Sequence, residues 1–244
     1  MPSMPSAARR VSSPKAGRPP VNLLLDSEVV SIPERARTLS GFREWVKSDE
    51  FPEKLRATFV DQEIYLDMTK ERLGTHAAPK SEVSRVLLNL NRKLSLGKFY
   101  LDGVLITNVA AGVSNNPDGA FVTLESIRSG RVRFVPEEDD PSDSTEIEGT
   151  PDWLMEILGD SSVQKDTDKL RAAYHRARIP EYWLIDARGD ELSFLILWWN
   201  KSGYVPAAKH KGWQRSRVFR RLFRLTRTRD KLGLWDYTLH VRTR

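Results

Sequence analysis

The sequence of 244 residues contains no cysteine, which removes several kinds of functional site. Disulfides, thiolate nucleophiles and cysteine-bound zinc are excluded, so any bound metal must use oxygen or imidazole ligands. No hydrophobic run approaches the ~20 apolar residues of a membrane-spanning helix, and the N-terminus lacks the apolar segment of a signal peptide. We therefore expect a cytoplasmic protein without a membrane partner.

Hydrophobic residues make up 39% of the chain, enough to bury one main core. The first twenty residues are rich in Pro, Ser, Ala and Arg and have no hydrophobic period, which predicts disorder. Phe42, Trp45 and Val46 then fall at helical spacing. The expected division is a disordered basic tail at 1–20, an N-terminal helical extension at 21–56 and a main domain at 57–244, with an acidic loop at 136–149 and a basic, β-rich C-terminal part.

The net charge of +6 is unevenly distributed along the chain. The first twenty residues carry four bases and no acid, and residues 209–244 carry twelve bases against two acids, so the middle of the chain is acidic. A basic surface attracts polyanions through counterion release, and an acidic segment suits divalent cations. The alternative interpretation of the basic segments is a solvated surface that only aids solubility.

Hydrophobic spacing predicts an α/β core. An amphipathic helix is expected at about 80–94, and strands are expected at 57–68, 104–109 and 120–124. Residues 153–185 read as strand, helix, strand, which predicts a crossover between two parallel strands. No phosphate-binding loop or dinucleotide fingerprint is present.

Glu156 lies inside the short apolar strand at 153–158, where an ionised carboxylate is costly without a cation or hydrogen bonds. It could instead face solvent or pair with an arginine. Asp118 also begins an apolar segment, and Lys165 follows Glu156 closely. Two acids and a lysine are the groups that metal-assisted phosphodiester hydrolysis needs, with Mg²⁺ or Mn²⁺ on the acids and the ammonium stabilising the transition state.

Strand geometry separates the candidate aspartates. Asp152 and Glu156 are four residues apart on one strand, about 13 Å at ~3.3 Å per residue, so one ion cannot bind both. Asp118, on a neighbouring strand about 4.8 Å away, can approach Glu156. We therefore predict that Asp118 and Glu156 are the metal ligands and that Asp152 is a turn or cap residue.

The segments PDWLMEIL, SS, KD, Tyr174 and IPEYWLIDAR, together with NNPDGAFV, resemble the signature of the Uma2 (DUF820) family of restriction-endonuclease-like proteins. The resemblance implies an α/β (α+β) fold of the PD-(D/E)XK nuclease superfamily, with a restriction-endonuclease-like core in which helices flank a central mixed β-sheet. It also implies an endonuclease that uses Mg²⁺ or Mn²⁺ on DNA or a related nucleic acid. Glu82, on the first core helix, could add a third metal-binding carboxylate as in related nucleases, or could simply be exposed.

The sequence departs from the commonest family pattern at the lysine, because the usual position is Leu170 here. Lys165 and Lys169 flank that position on one helix face, and we favour Lys165 because it is nearer the strand end. If neither reaches the site, the chain is a catalytically inactive nuclease fold that binds nucleic acid or another partner. His76 could contact phosphate or be a structural residue.

The segment WQRSRVFRRLFRL interleaves arginines with apolar side chains. It could place the arginines along a phosphate backbone and stack its aromatic residues on unpaired bases, or it could pack its apolar side on the core and only solvate the arginines. The predicted nucleic-acid-binding residues are Arg215, Arg217, Arg220, Arg221 and Arg224. Trp198, Trp199 and Trp235 are expected in the core or in the interface of a homodimer.

Overall fold

The computed structural model describes residues 20–25, 28–52, 55–67, 70–137, 140–160 and 163–243. In this part of the chain, no helix combines the length and apolar character needed to cross a membrane. The basic tail predicted at 1–20 falls outside the described residues, apart from Pro20.

The N-terminal segment begins with a hairpin rather than with a helix. Its elements are β1 (Val21–Leu25), β2 (Glu28–Ile32), a 3-10 turn (Glu34–Arg37) and α1 (Leu39–Val46). The prediction of a helical extension over 21–56 is therefore correct for α1 and wrong for β1 and β2, which pair antiparallel. Short Val- and Leu-rich runs satisfy their backbone groups more readily in a ladder than in a helix of one turn.

A second hairpin precedes the first long helix. It consists of β3 (Arg56–Val60) and β4 (Glu63–Asp67), joined by Asp61 and Gln62 with φ of 52° and 63°. Two consecutive positive φ angles close the two-residue turn that suits the twist of a hairpin. A π-helical turn (Leu73–Ala77) then leads into α2 (Ala78–Leu94), which confirms the helix predicted at 80–94.

The middle of the chain is built of short strands. They are β5 (Gly97–Leu101), β6 (Leu105–Asn108), β7 (Val113–Asn115), β8 (Gly119–Thr123), β9 (Val132–Pro136) and β10 (Ser144–Gly149). One short helix, α3 (Leu124–Arg128), lies between β8 and β9. The acidic loop predicted at 136–149 is wrong in its second half, because β10 pairs antiparallel with β9. Glu146 is buried on β10 and accepts hydrogen bonds from Arg43 at 2.6 Å and Lys47 at 3.1 Å. These partners, on and just after α1, offset the cost of taking the Glu146 carboxylate out of water.

The crossover predicted at 153–185 is present. It runs from β11 (Trp153–Ile157) through a π-helical turn (Lys165–Leu170) and α4 (Arg171–Arg176) to β12 (Glu181–Asp186). β11 and β12 are parallel, with Trp153 beside Glu181 and Ile157 beside Ile185. The apolar residues that gave the helix its face in the sequence, such as Leu170 and Tyr174, are buried.

The C-terminal part is β-rich, as predicted. It comprises β13 (Ser193–Asn200), β14 (Gly203–Pro206), β15 (Gln214–Ser216), β16 (Arg221–Arg229) and β17 (Trp235–Arg242). The last three strands form a separate antiparallel sheet in the order β15-β16-β17, which we call the C-terminal sheet.

Two six-stranded sheets form the rest of the fold. The central sheet has the order β14-β13-β12-β11-β8-β5, and the second sheet has the order β4-β3-β7-β6-β10-β9. The central sheet is mixed, because β11 and β12 are parallel while its other neighbours are antiparallel. One face packs on α4 and the second sheet, and the other packs on α2 and the C-terminal sheet. The predicted mixed α/β (α+β) fold with a central sheet is confirmed.

Alternation along β11 decides where its polar residue points. Leu154 and Leu158 belong to the core on the second-sheet side, whereas Met155 and Ile157 belong to the core on the α2 side. Successive strand residues point to opposite faces. Glu156 therefore points between the central sheet and the second sheet.

Glu181 fastens the C-terminal sheet to the central sheet. Its buried carboxylate accepts hydrogen bonds from the Trp183 indole at 2.7 Å, the Ser216 hydroxyl at 2.6 Å and the backbone N–H groups of Arg217 at 2.7 Å and Val218 at 3.3 Å. Burial raises the pKa of Glu181, and these hydrogen bonds oppose that rise. The four donors replace the water that the carboxylate loses.

Candidate active site

Asp118 and Glu156 lie side by side on the same face of the central sheet. Met155 pairs with Gly119 across the antiparallel β11–β8 ladder, so the next position in the register sets Glu156 opposite Asp118. Both side chains are buried and line one cavity. The structure thus brings together the two carboxylates that the strand geometry pairs.

Three donors hold the Asp118 carboxylate. Its Oδ2 accepts the backbone N–H of Ile157 at 2.7 Å and lies 3.4 Å from His76 Nε2, and its Oδ1 lies 3.1 Å from Lys80 Nζ. Burial alone would raise the pKa of Asp118, but these three groups outweigh it and lower the pKa. Asp118 is therefore the ionised member of the pair.

Glu156 has the opposite electrostatic environment. Its Oε1 accepts hydrogen bonds from the Tyr174 hydroxyl at 2.6 Å and Asn115 Nδ2 at 3.0 Å. Burial and the charges of Asp166 and Asp118 raise its pKa well above the ordinary value, although Lys165 and Tyr174 oppose the rise. The charged form of Glu156 is therefore disfavoured relative to that of Asp118.

Lys165 reaches the same cavity from the start of the π-helical turn. Its ammonium is 3.4 Å from Asp166 Oδ1, and the side chain is 17% exposed. Burial opposes the charge, but the carboxylates of Asp166, Glu156 and Asp67 outweigh it and raise the pKa of Lys165. Asp166 is itself buried and adds a third carboxylate to the cavity wall.

Two predicted residues lie elsewhere. The Lys169 ammonium is 3.3 Å from Glu63 and 3.7 Å from Asp61, on the β3–β4 hairpin, and Lys169 does not line the cavity. Glu82 accepts the backbone N–H of Leu239 at 2.9 Å and pairs with Arg85 at 2.8 Å. Neither residue approaches Asp118 or Glu156, so the structure supplies Asp166 where the sequence suggested Glu82.

A buried ammonium lies behind Asp118. Lys80 Nζ is 2.7 Å from Glu71, 2.9 Å from Asp102 and 3.1 Å from Asp118. Glu71, His76 and Asp118 also have ligand atoms within 4.8 Å of one another, a spacing that would suit a metal. The Lys80 ammonium already contacts two of those three side chains, so a cationic charge is built into this group.

The cavity is small and opens beside a larger cleft. It encloses about 40 Å³. Its lining residues are Arg56, Ala57, Thr58, Asp67, His76, Asn115, Asn116, Asp118, Glu156, Ile157, Lys165 and Asp166, and we call them the carboxylate pocket. A cleft of about 230 Å³ adjoins it and shares Arg56, Asp67 and His76 with it. Gly159 and Asp160, just after β11, and Arg188, just after β12, line this cleft, so it lies at the carboxyl ends of the parallel strands, where α/β sheets bind ligands.

Asp152 lies outside the carboxylate pocket, as expected. Its carboxylate accepts hydrogen bonds from Thr123 N and Ser126 Oγ, both at 2.7 Å, and pairs with Arg131. Thr123 is the N-cap of α3. Asp152 therefore stabilises the start of that helix.

The predicted arginines lie on or beside the C-terminal sheet. Arg215, Arg217 and Arg220 are exposed, and Arg221 and Arg224 are half-buried. Among the predicted tryptophans, Trp198 and Trp235 are half-buried and each is covered by guanidinium groups. They are neither fully buried core residues nor bare aromatic surfaces.

Sequence reasoning missed the residues that approach the site from distant segments. Lys80 and His76 are four positions apart and point the same way, a helical spacing that could have indicated a shared role. Asn115 lies three residues before Asp118 in the segment NNPDG, and Asp166 follows Lys165 directly. Glu71 and Asp102 carry no local signal, because only the fold brings them to Lys80.

Comparison with known proteins identifies the class of fold first. The structure is similar to the crystal structure of "a putative nuclease belonging to DUF820" from Anabaena variabilis ATCC 29413, with a TM-score of 0.54 and 17% sequence identity over 75% of this chain and 90% of that one. At this identity the similarity shows the fold alone, and it is a nuclease fold. Residues 40–226 match the Uma2 family, described as "Putative restriction endonuclease", and this protein belongs to that family. No curated protein matches the chain significantly.

Proposed function

We propose that this Uma2 protein is a PD-(D/E)XK-type nuclease that uses Mg²⁺ or Mn²⁺ to hydrolyse phosphodiester bonds in DNA. One observation carries the proposal: two buried carboxylates on neighbouring strands, Asp118 and Glu156, share a cavity with the partly buried ammonium of Lys165. A buried acid pair with a charged lysine is expensive to fold and is typical of sites that perform chemistry.

The carboxylate pocket offers the types of donor atom that a hard divalent cation prefers. Asp118, Glu156 and Asp166 offer carboxylate oxygens, the ligands that Mg²⁺ and Mn²⁺ prefer. When bound, such an ion supplies Lewis-acid polarisation of the phosphate oxygens. An added positive charge would also favour the ionised form of Glu156, so that its proton leaves as the site fills.

The surrounding residues fix the two proposed ligands. Tyr174 and Asn115 both donate to Oε1 of Glu156, and no hydrogen bond to Oε2 is found within the described residues. Ile157 N–H and Lys80 similarly hold Asp118. We propose that these four groups are positioning residues, because they orient the carboxylates without facing a substrate.

Lys165 has the proposed role of transition-state stabiliser. Its ammonium stays charged between the surrounding carboxylates, so it can offset the negative charge that builds on the phosphate during hydrolysis. Interactions that strengthen only in the transition state act on turnover rather than on binding.

A cleavage assay on supercoiled plasmid and duplex oligonucleotides, with Mg²⁺, Mn²⁺ or EDTA, tests the function. We expect metal-dependent cleavage that falls at least about 10³-fold in Glu156→Gln, a variant that keeps the side-chain size and an acceptor for Tyr174 and Asn115. The matched control is Glu82→Gln, which makes the same change outside the carboxylate pocket and should stay within about three-fold of the wild type. Equal inactivity of both variants would contradict the assigned site.

A second candidate function is a nuclease fold that binds DNA without cutting it. Two observations favour it: the cavity encloses only about 40 Å³, and both oxygens of Asp118 already have partners. This alternative is the better account if the wild-type protein binds duplex DNA, cuts no substrate in either metal, and has the same melting temperature with and without Mg²⁺.

A further inference from the structure

The C-terminal sheet and its approaches carry positive charge that forms no ion pair with a carboxylate of the described residues. Residues 203–243, all of them described, contain eleven lysines and arginines and two aspartates. No ion pair joins any of these bases to a described carboxylate, whereas surface arginines elsewhere, such as Arg35, Arg85 and Arg133, pair with glutamates at 2.6–3.0 Å. The region therefore presents a group of cationic side chains that have no ion-pair partner within the described residues.

Tryptophan rings hold these arginines in place. Arg217 lies 3.9 Å above Trp198, Arg227 and Arg229 lie 4.0 and 3.8 Å from the centre of Trp235, and Arg224 and Arg242 lie 5.1 and 4.2 Å from the centre of Trp213. A guanidinium stacked on a ring keeps its in-plane N–H groups available for phosphate oxygens. Arg227 and Arg229 use some of these donors on backbone carbonyl groups. For Arg224 and Arg242, no hydrogen bond from the guanidinium is found within the described residues.

The strand register gathers three of the arginines on one face. Phe223 and Leu225 on β16 are buried, so their neighbour Arg224 points to the outer face. Leu222, on the same outer face, pairs with Arg215 on β15 and with Arg242 on β17. We call Arg215, Arg224 and Arg242, with Trp213 beside them, the Trp213 face.

Positive charge on the Trp213 face comes from all three strands of the C-terminal sheet. Arg215 on β15 and Arg242 on β17 flank the central strand, with their backbones about two ladder spacings or ~9.6 Å apart. Asp236 pairs with Thr228 and lies on this face too, but six residues along β17 from Arg242, about 20 Å away. Arg224 Nε is buried and makes no hydrogen bond within the described residues.

We propose that the Trp213 face binds the phosphate backbone of duplex DNA, independently of base sequence and separately from the carboxylate pocket; the choice of DNA rests on the proposed function. The partner follows from charge complementarity, since the face offers two guanidinium groups held on Trp213 and the exposed guanidinium of Arg215 to a regular polyanion. The ring of Trp213 contacts two guanidinium groups and so serves to position them. It does not act as a stacking platform for an unpaired base, and the base stacking suggested by the sequence is not part of this proposal.

The test measures binding of the full chain in EDTA, where cleavage cannot interfere. Fluorescence anisotropy with two labelled duplexes of unrelated sequence, from about 50 to 300 mM NaCl, gives the slope of log K against log salt. The slope is negative, and the triple variant Arg215→Gln/Arg224→Gln/Arg242→Gln should reduce its magnitude by about 2.7, at ~0.9 per lost phosphate contact. Binding at 0.1 M salt should weaken on the order of 100-fold for both duplexes. If partial burial of Arg224 makes this variant fold poorly, the double variant Arg215→Gln/Arg242→Gln replaces it and should reduce the magnitude of the slope by about 1.8.

The matched control removes the same charge elsewhere. Arg35→Gln/Arg85→Gln/Arg133→Gln replaces three arginines that already pair with glutamates, and it should leave the slope unchanged and the affinity within about three-fold. An equal loss in both triple variants would reduce the effect to net charge and overturn the assigned face.

Other outcomes identify a different occupant or a different mode and overturn the proposal. One is tighter binding of single-stranded oligonucleotide than of duplex, abolished by Trp213→Ala, which would show base stacking. Another is equal affinity for polyglutamate or for vesicles rich in anionic lipid. If the protein cuts DNA and the triple variant keeps the wild-type slope, the nuclease proposal stands and the DNA-binding role of the Trp213 face is overturned. If the protein cuts nothing and the predicted change in slope is found, the DNA-binding role stands and the nuclease proposal is overturned.

Discussion

The carboxylate pocket and the C-terminal sheet treat charge in opposite ways. In the pocket and around it, ammonium and guanidinium groups contact carboxylates directly, as Lys80 does with three of them. Residues 203–243 show no such pair within the described structure, and their arginines rest on tryptophan rings instead. Charged groups with fixed partners shift the pKa values of neighbouring carboxyl groups and orient their oxygens. Charged groups without such partners remain available to bind another molecule.

The pocket also separates two acids that look alike in the sequence. Asp118 has its pKa lowered by donors on both oxygens, despite burial, and Glu156 has its pKa raised by burial and by the neighbouring carboxylates. Two adjacent carboxyl groups thus have pKa values shifted in opposite directions. The C-terminal sheet shows no counterpart to this tuning, so we expect substitutions there to change binding and substitutions in the pocket to change chemistry.

The largest expected contrast is between two lysines on one helical segment. Lys165→Met should lower the turnover number of cleavage by about 10²–10³-fold with little change in DNA affinity, because a buried cation beside the site acts in the transition state. Lys169→Met removes an equal charge from a lysine that pairs with Glu63 on the surface, and should stay within about three-fold. Steady-state kinetics and binding in EDTA separate the two effects. Normal cleavage by Lys165→Met together with loss in Lys169→Met would reverse the assignment and keep the nuclease proposal.

A smaller contrast concerns stability. Lys80→Met leaves Glu71, Asp102 and Asp118 without their shared ammonium, which should reduce the free energy of unfolding by about 3 kcal/mol. Lys209→Met removes an exposed lysine without an ion pair and should change it by less than about 0.5 kcal/mol. Urea denaturation of both variants provides the measurement. Similar losses would mean that the buried ammonium is not the stabilising element that its contacts indicate.

The smallest expected effect is a pH dependence in the absence of metal. Because the pKa of Glu156 in the folded chain lies well above 4.5, folding takes up a proton between the two values, and stability falls as pH rises through that window. Glu156→Gln cannot titrate, so at pH 8 in EDTA it should be more stable than the wild type by on the order of 1 kcal/mol, about 2–4 °C in Tm. The control is Glu63→Gln, since the pKa of exposed Glu63 is lowered by Tyr65 and Lys169 and contributes no fall of this sign. Parallel pH profiles for wild type and Glu156→Gln would show that Glu156 titrates normally.

Local pattern was enough to predict the elements on which the site is built. The α2 helix and the strand–helix–strand unit at 153–185 could be predicted because each element buries particular positions. The spacing of apolar residues in the sequence shows those positions directly. The closeness of Asp118 and Glu156 followed from strand spacing once both were placed on neighbouring strands. Their roles as metal ligands stay predictions.

What could not be predicted depends on contacts between distant segments. Glu146 and Glu148 read as part of a solvated acidic loop, because nothing near them shows that Arg43 pairs with both, each at 2.6 Å. The gathering of Glu71 and Asp102 around Lys80 has the same origin. The β1–β2 hairpin was missed for a different reason, since a short apolar run fits a helix or a strand equally well.

The structural role of Asp118 shows why an aspartate at this position does not by itself indicate activity in other members of the family. Its side chain accepts the N–H of Ile157 and so completes the hydrogen bonding of β11 just where β8 begins. Any descendant that lost the chemistry would still need an acceptor there to avoid burying an unpaired backbone group. Retention of aspartate at this position is therefore a poor marker of an active relative. Lys165, whose ammonium lies among the acids of the pocket, is a better one.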